Sequence, residues 1–242
     1  MKVVAIIQAR MGSTRLPGKV LMDLAGEPML ARVVSRCRRV ALLTDVVVAA
    51  TTQPADDAIA RFCAERGWPC FRGSEDDVLD RYYRAALEHK ADVVVRITSD
   101  CPLIDPAVVD LVVREFIRRQ PEVAYASNVV PSRTFPRGLD TEVMQFAALE
   151  RAWKEDNNPA WREHVTPYLS EVEGRFPVHC VTNEGDYSSQ RWTVDTPEDF
   201  EFVRLIYQHF RHDRFSWREV LTLLERHPEW LEINRHIVQK AL

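Results

Sequence analysis

Three short and almost uninterrupted apolar runs constrain the fold of this chain more than any other feature. They lie at residues 3–7, 46–50 and 93–97. Segments with the spacing of amphipathic helices separate and follow them, at residues 29–39, 55–66 and 76–89 and after Pro106. Strands that are covered on both faces of a parallel sheet have this continuous apolar character. The alternation predicts a layered α/β fold with right-handed crossovers, in which ligands bind at the carboxyl ends of the strands.

The pattern changes from about residue 123 onward, where strands and helices no longer alternate regularly. Strands are predicted at residues 123–128, 176–182 and 190–194, and helices at 146–169, 197–209 and 217–226. No linker rich in Gly, Pro or Ser interrupts the sequence. We therefore expect residues 1–242 to form one domain, with an insertion at about residues 128–190 that carries a second substrate-binding surface or a subunit contact.

The composition argues against several classes of protein. Apolar residues make up 46% and charged residues 28% of the chain, which is typical of a globular protein. The net charge of -4 argues against nucleic acid as a partner of the whole surface. No apolar stretch approaches the roughly 18 residues that cross a membrane. The five cysteines are scattered without a C-x-x-C pair, which favours reduced thiols and a cytoplasmic location.

The loop after the first apolar run carries three cations, Arg10, Arg15 and Lys19. Small residues between them, including Gly12 and Ser13, allow the backbone to come close to a ligand. Guanidinium groups bind phosphate oxygens through paired donors, and lysine adds a compact charge. The loop therefore predicts a triphosphate site, and a solvated basic loop is the alternative.

The same loop lacks the spacing of a P-loop. Five residues separate Gly12 from Gly18 where a P-loop has four, and Val20 follows Lys19 in place of Ser or Thr. Gly26 and a nearby proline also delay the start of the next helix. The sequence thus argues against a P-loop ATPase.

Two aspartates lie near other strand ends and have no evident structural role. Asp105 is predicted to cap the helix that begins at the proline after it, which leaves Asp100 unexplained. Thr196 and Asp199 have the spacing of a helix-capping pair, which leaves Asp195 unexplained. Mg²⁺ binds one or two carboxylates together with phosphate oxygens. Asp100 and Asp195 are therefore predicted to hold Mg²⁺ beside the triphosphate, with a turn-forming aspartate as the alternative for Asp100.

Five segments together resemble a known family, the CMP-sugar synthetase group that includes the CMP-Kdo and acylneuraminate cytidylyltransferases. The likeness is greatest to the branch named after the spore coat polysaccharide biosynthesis protein F. The matching segments are Ile7-Gln8-Ala9-Arg10 with residues 13–19, Asp100-Cys101-Pro102-Leu103-Ile104-Asp105, Gly138-Leu139-Asp140-Thr141-Glu142-Val143, Glu163-His164-Val165-Thr166-Pro167-Tyr168 and residues 192–199. They run in order over most of the chain.

The resemblance implies a three-layer, GT-A-like α/β fold of nucleotide-diphospho-sugar transferases, with a mostly parallel sheet and a small insertion. It also implies a homodimer that transfers CMP from CTP to a hydroxyl of a sugar-type acceptor and releases pyrophosphate. By position, the nucleotide would be bound by Ala9, Arg10, Gly12, Ser13, Arg15, Lys19 and Thr98. Arg10, Lys19, Asp100 and Asp195 would be catalytic, and the two aspartates would hold Mg²⁺.

The acceptor would be bound by residues of the irregular second half. A sugar acid needs an arginine for its carboxylate and carboxylates or histidine for its hydroxyls. The candidates are Arg133, Arg137, Asp140, Glu142 and His164, and solvated surface charge is the alternative for each of them. CMP-Kdo synthetases usually have Pro and Gly at the positions of Gln8 and Ser99, so the resemblance does not carry their acceptor specificity over.

Three functions remain to be compared. The first is a CTP-dependent cytidylyltransferase. The second is a glycosyltransferase that uses a nucleotide sugar, since the fold is shared, but Asp100 has no aspartate two residues away to form a D-x-D motif. The third is a non-catalytic nucleotide-binding subunit, which the presence of both Asp100 and Asp195 disfavours. The sequence predicts the first.

Overall fold

One sheet of seven strands organises the computed structural model, which describes residues 1–239. In chain order the strands are β1 (Val3–Gln8), β2 (Asp45–Thr51), β3 (Cys70–Gly73), β4 (Val93–Thr98), β5 (Tyr125–Ser127), β6 (Glu142–Gln145) and β7 (Val178–Cys180). Their order across the sheet is β3-β2-β1-β4-β6-β5-β7. Neighbouring strands are parallel except at β6, which is antiparallel to both β4 and β5. The predicted mostly parallel α/β fold is confirmed.

Helices cover both faces of this sheet. They are α1 (Met29–Cys37), α2 (Asp57–Glu65), α3 (Val78–Glu88), α4 (Pro106–Arg118), α5 (Phe146–Glu155), α6 (Pro159–His164), α7 (Pro167–Ser170), α8 (Pro197–Phe210) and α9 (Trp217–Arg226). Single 3-10 turns lie at Lys19–Leu21 and Pro54–Asp56, and a longer one at Pro228–Glu232.

Alternate residues of β1 show why its sequence is apolar throughout. Ala5 and Ile7 belong to a buried cluster with residues of α1, α4, α8 and α9. Val4 and Ile6 belong to a second cluster with residues of α3, α5 and α7. The central strands therefore bury both faces, as expected for a parallel sheet between two helical layers. This arrangement leaves the carboxyl ends of the central strands β1 and β4 accessible at one end of the sheet.

Two local helix-capping predictions are confirmed. The side chain of Asp105 accepts hydrogen bonds from the backbone N–H groups of Ala107 at 2.8 Å and Val108 at 3.3 Å, so it caps α4. Thr196 and Asp199 form a reciprocal capping box at the start of α8. These two aspartates thus have the structural roles that their sequence neighbours indicated.

Two predicted elements are wrong. Residues 190–194 form no strand, because their backbone bonds to loops: Trp192 N–H donates to Arg137 and Val194 N–H donates to Asp100. Only an isolated bridge between Arg137 and Arg191 has strand geometry there. The predicted helix at 146–169 is divided into α5, α6 and α7, because Asn158 caps a new helix that begins with a proline and a second proline begins α7. The short strands β3 and β6 were not predicted.

Candidate active site

A cleft of about 1060 Å³ opens at the carboxyl ends of β1 and β4. It is lined by the loop after β1, the end of β4, and parts of residues 129–142, 160–171 and 188–195. All predicted site residues except Gly12 line it, namely Ala9, Arg10, Ser13, Arg15, Lys19, Thr98, Asp100, Arg133, Arg137, Asp140, Glu142, His164 and Asp195. Residues from both halves of the chain therefore share one cleft.

The loop after β1 is shaped so that Lys19 points inward. Met11 N–H donates to the carboxylate of Asp56 at 2.7 Å, and Gly18 N–H donates to Met11 O at 3.0 Å. Gly18 has a φ of 71°, a left-handed conformation that glycine adopts without strain. The turn places Lys19 at the start of a 3-10 turn, where it is 8% exposed.

The ammonium group of Lys19 joins the two aspartates that the sequence left unexplained. Its Nζ lies 3.0 Å from Asp195 Oδ1 and 3.4 Å from Asp100 Oδ2, and it donates to Val194 O at 2.6 Å. These three residues are far apart in the sequence. The predicted convergence of Asp100, Asp195 and Lys19 is therefore confirmed by the geometry.

Charge keeps this cluster ionised. Burial by itself lowers the pKa of Lys19, but the charges of Asp100 and Asp195 outweigh burial and raise the pKa above its usual value. Burial likewise raises the pKa of Asp195, but Lys19, Arg15 and Arg191 outweigh it and lower the pKa. Arg15 Nη2 lies 3.1 Å from Asp195 Oδ2. Asp195 is thus a carboxylate at neutral pH.

Hydrogen bonds hold both the side chain and the backbone carbonyl of Asp100 in place. The hydroxyl of Thr98 donates to Asp100 Oδ1 at 2.5 Å, and the backbone carbonyl of Asp100 accepts from Val194 N–H at 2.8 Å. Thr193 Oγ1 also donates to this carbonyl, at 3.3 Å. Thr98, a predicted nucleotide-binding residue, is therefore found oriented toward Asp100, and the end of β4 is tied to the segment that carries Asp195.

The donor set of this cluster suits Mg²⁺. It consists of two carboxylates that are close enough to share one ammonium group, and Mg²⁺ takes one or two carboxylates and completes its shell with water and phosphate. Within residues 1–239 no group of three or more His, Cys, Asp or Glu side chains is arranged to hold a metal ion. A substrate phosphate would therefore have to supply further ligands.

The cations that line the cleft differ in their partners. Arg133 donates to both carboxylate oxygens of Asp140, at 2.5 and 2.8 Å. The side chains of Arg10 and Arg137 have no hydrogen bond or ion pair with any of the residues described. Burial lowers the pKa of Arg137, and the neighbouring charge of Arg133 lowers it further. Arg137 is thus a half-buried guanidinium close to other positive charges. A bound anion would stabilise its charged form.

Glu142 is bonded to the protein through both of its carboxylate oxygens. Oε1 accepts from Tyr125 Oη and from Thr166 Oγ1, each at 2.6 Å, and Oε2 forms an ion pair with Arg96. Arg96 and Glu142 are direct neighbours across β4 and β6. Their charges are buried together, so the pair forms part of the rigid cleft floor.

Arg96 is a lining residue that the sequence reasoning missed. It interrupts an otherwise apolar strand, and a charge at such a position signals a buried partner or a ligand. The ion pair with Glu142 raises the pKa of Arg96, although burial alone lowers it. Its Nε is buried and has no hydrogen-bond partner in the part of the chain that the structure describes.

His164 lines the cleft next to an unusual turn. The following residue, Val165, has a φ of 71° and is fully buried, and Thr166 N–H donates to His164 O at 2.8 Å. A β-branched residue adopts a positive φ only where the surrounding packing requires it. The turn therefore fixes how His164 and Thr166 enter the cleft.

Gly138 brings two segments of the cleft into direct contact. It has a φ of 109°, and a Cβ atom at this position would lie 2.8 Å from the backbone of Trp192 and Thr193. Only glycine permits this approach. The contact sets the distance between the segment of Arg137, Asp140 and Glu142 and the segment of Asp195.

The fold and the site together define a class of protein. A mostly parallel α/β sheet with a cationic loop and two carboxylates at its carboxyl edge is the architecture of a nucleotidyltransferase. The chain belongs to the cytidylyltransferase family, whose model matches residues 4–220. It is thus a CTP-dependent nucleotidyltransferase.

Similar proteins cover its whole length. An uncharacterized protein of Methanocaldococcus jannaschii is 36% identical over 100% of this chain and 98% of its own. The spore coat polysaccharide biosynthesis protein SpsF of Bacillus subtilis is 31% identical over 94% of this chain and 95% of its own. The solved structure of a cytidylyltransferase from Leptospira borgpetersenii is 34% identical, with a TM-score of 0.92 and 100% of both chains covered. The predicted family is confirmed.

None of the helices among residues 1–239 combines the length and the apolar character that spanning a membrane requires.

Proposed function

We propose that the protein transfers CMP from CTP to a hydroxyl of a sugar acid or a related polysaccharide precursor, with Mg²⁺ as the metal ion and pyrophosphate as the second product. The observation that carries this proposal is the Lys19 ammonium group bonded to both Asp100 and Asp195 inside the cleft. It places positive charge for a triphosphate beside carboxylates for a metal, as nucleotidyl transfer requires.

Asp100 and Asp195 are the residues that would hold Mg²⁺. When bound, the ion supplies Lewis-acid stabilisation of phosphate oxygens. The chain contributes the orientation of both carboxylates: Thr98 fixes Asp100, and Arg15 and Arg191 fix Asp195. Positive neighbours lower the pKa of Asp195, so this ligand is deprotonated before the metal binds.

The cations of the first loop bind the phosphates and stabilise the departing pyrophosphate. Arg10 has no partner among the described residues, so its full donor set is available to a phosphate. Arg15 and Lys19 are shared with Asp195 and add charge at the same position. Displacement at the α-phosphorus needs little covalent chemistry from the protein, and positioning and charge stabilisation supply most of the acceleration.

On the acceptor side, Arg137 is the residue that would bind the carboxylate of a sugar acid. Arg133 is already bonded to Asp140 through two parallel hydrogen bonds, which leaves Asp140 to orient Arg133. Glu142 orients Arg96 in the same way, and His164 has the exposure to reach an acceptor hydroxyl. We infer that the segment of about residues 128–190 carries the acceptor specificity.

The likeness to a protein named for spore coat polysaccharide biosynthesis supports a precursor of a surface polysaccharide as the acceptor. We also infer a homodimer in the cytoplasm, as the resemblance to CMP-sugar synthetases implies. Sedimentation equilibrium at micromolar concentration tests the dimer, and a monomer over the whole concentration range would contradict it.

The decisive test is to incubate the protein with each nucleoside triphosphate, Mg²⁺ and a panel of sugar acids while pyrophosphate is measured. We expect acceptor-dependent release from CTP and little from ATP, GTP or UTP. Release of a nucleoside diphosphate from a nucleotide sugar would favour the glycosyltransferase instead. Binding of CTP without any turnover across the panel would favour the non-catalytic subunit.

The role of Arg137 is tested by comparing acidic acceptors with neutral analogues. Arg137→Met should raise KM for acidic acceptors about tenfold or more and leave KM for CTP unchanged, because one charged hydrogen-bonding partner is lost. Arg114→Met is the control, since Arg114 lies exposed on α4. Equal turnover of acidic and neutral acceptors by the unmodified protein would contradict an acid-reading role.

A further inference from the structure

The segment that follows α9 returns to the metal-binding side of the cleft. After the 3-10 turn at Pro228–Glu232, the chain reaches Asn234, which is only 4% exposed. The Nδ2 group of Asn234 donates to Asp199 Oδ1 at 2.9 Å and to Arg191 O at 3.1 Å. Five residues later, Gln239 accepts from Arg191 Nη1 at 2.6 Å and lines the cleft.

Arg191 connects the segment after α9 to Asp195. Its Nε and Nη2 each lie 2.9 Å from one of the two oxygens of Asp199, in the paired geometry that fixes a guanidinium in a plane. The same Nη2 donates to Asp195 Oδ2 at 3.0 Å. All three nitrogens of the guanidinium are thus engaged, and its orientation is determined.

Asp199 helps to cap α8 and also accepts hydrogen bonds from two other segments of the chain. Its Oδ2 accepts from the backbone N–H groups of Asp195 at 3.0 Å and Thr196 at 3.1 Å, and its Oδ1 accepts from Arg191 and Asn234. It is fully buried, so every one of these bonds replaces a lost contact with water. Asn234 is the donor that the segment after α9 contributes to Asp199.

The consequence for Asp195 is a fixed orientation. Arg15 and Arg191 hold Oδ2, and this leaves Oδ1 directed at Lys19 and the open cleft. Partners behind a metal ligand determine its orientation and basicity, and their loss lowers metal affinity.

We propose that Asn234 is a positioning residue for the metal-binding carboxylate of Asp195, acting through Asp199 and Arg191. The segment after α9 is then part of the working site. This inference rests on the proposed function only in assigning a divalent cation to Asp195.

The test measures Mn²⁺ binding to the full chain by electron paramagnetic resonance, with CTP and without acceptor. Asn234→Ala should weaken Mn²⁺ binding about tenfold. Binding of CTP in the presence of a chelator should stay within twofold of the unmodified protein, because the first loop is untouched. Asn234→Ser, whose hydroxyl retains a short donor, should recover part of the Mn²⁺ affinity.

Asn157→Ala is the matched control. Asn157 is exposed in the connection between α5 and α6, and its side chain donates one hydrogen bond within residues 1–239, to Glu155 O at 3.2 Å. An Mn²⁺ affinity of Asn234→Ala equal to that of Asn157→Ala would overturn the proposal, and so would equal losses of Mn²⁺ and metal-free CTP binding.

Failure of the function itself has a different signature. If the unmodified protein binds no Mn²⁺ with CTP, the metal role of Asp195 is wrong and the positioning role of Asn234 falls with it. If the unmodified protein binds Mn²⁺ and releases pyrophosphate while the affinity of Asn234→Ala is unchanged, only the positioning role is wrong. Should Asn234→Ala not fold, Asn234→Ser carries the test. An Mn²⁺ affinity between that of the unmodified protein and about one tenth of it supports the proposal, and an affinity equal to that of Asn157→Ala overturns it.

Discussion

Two buried cations, Lys19 and Arg36, each tie distant segments of the chain together, but they do so with different partners. Arg36 is fully buried and donates to three backbone carbonyls, those of Ile104, Asp213 and Phe215. Lys19 donates to one backbone carbonyl and forms ion pairs with Asp100 and Asp195. Arg36 Nη2 also lies 4.0 Å from Oδ2 of Asp105, a buried carboxylate that caps α4. Arg36 is therefore held mainly by fixed dipoles, and Lys19 by carboxylates that line the cleft.

The difference separates a structural centre from a chemical one. The carbonyls around Arg36 belong to the backbone of two loops, and none of these residues lines the cleft. The side chain of Asp100 is 28% exposed and faces the cleft, so its charge is available to a second cation. A buried cation paired with carboxylates that line a cleft is thus a sign of function, whereas one held by carbonyls and a buried carboxylate is a sign of stability.

Removing either carboxylate of the Lys19 centre should give the largest effect. Asp100→Asn and Asp195→Asn keep the shape of the side chain but lose the charge that would bind Mg²⁺, and we expect kcat to fall about 100-fold or more. Steady-state pyrophosphate release measures this. Asp57→Asn, at an exposed ion pair, is the control. Activity near that of the unmodified protein in both variants would remove these aspartates from the mechanism.

Replacing Arg36 should lower the stability of the protein and leave its turnover per folded molecule unchanged. Arg36→Met removes the Arg36 donor from the buried carbonyls of Ile104 and Phe215 and removes the cation beside the buried Asp105. We expect the free energy of unfolding to fall by about 3 kcal/mol or more. Urea denaturation measures it, with Arg38→Met, at the exposed residue that caps the C-terminus of α1, as the control. A turnover per folded molecule that fell as far as in Asp195→Asn would erase the distinction between the two centres.

The smallest expected effect is a change in the pH dependence of stability at the Lys19 centre. The pKa of Lys19 is raised in the folded state, so its contribution is fully present below the unfolded value of 10.5 and is lost as pH rises through the higher folded value. The difference in unfolding free energy between the unmodified protein and Lys19→Met should therefore shrink at strongly alkaline pH. Lys154→Met, at an exposed position, is the control. A difference that grew with pH would contradict the sign of the shift.

The parts of the fold that could be predicted are determined by residues that lie close together in the sequence. The apolar runs of β1, β2 and β4 reflect burial on both faces, and the caps at Asp105 and Asp199 lie within a few residues of the groups they bond. Asp100 and Asp195 could be selected as site residues because helix capping explained the nearby Asp105 and Asp199 but not these two. Asp100 reaches Lys19 because β1 and β4 share their carboxyl edge, whereas Asp195 reaches it from an irregular segment whose Val194 N–H donates to Asp100 O.

The parts that were missed depend on contacts between distant segments. β6 has only four residues and includes the charged Glu142, which lies directly opposite Arg96 of β4 and pairs with it. Residues 190–194 have strand-like composition, but their hydrogen bonds go to the loops around Arg137 and Asp100. Asn234 meets Arg191 across 43 positions of sequence, and no local pattern indicates that contact.

The backbone contact at Gly138 has a consequence for the diversification of such enzymes. Because the approach leaves no room for a side chain, the backbone of the segment with Arg137 and Asp140 lies directly against the backbone that leads to Asp195. Under the acceptor role proposed above for the first segment, new specificities can arise by exchanging side chains on either side of this glycine, since the distance between the two segments stays the same.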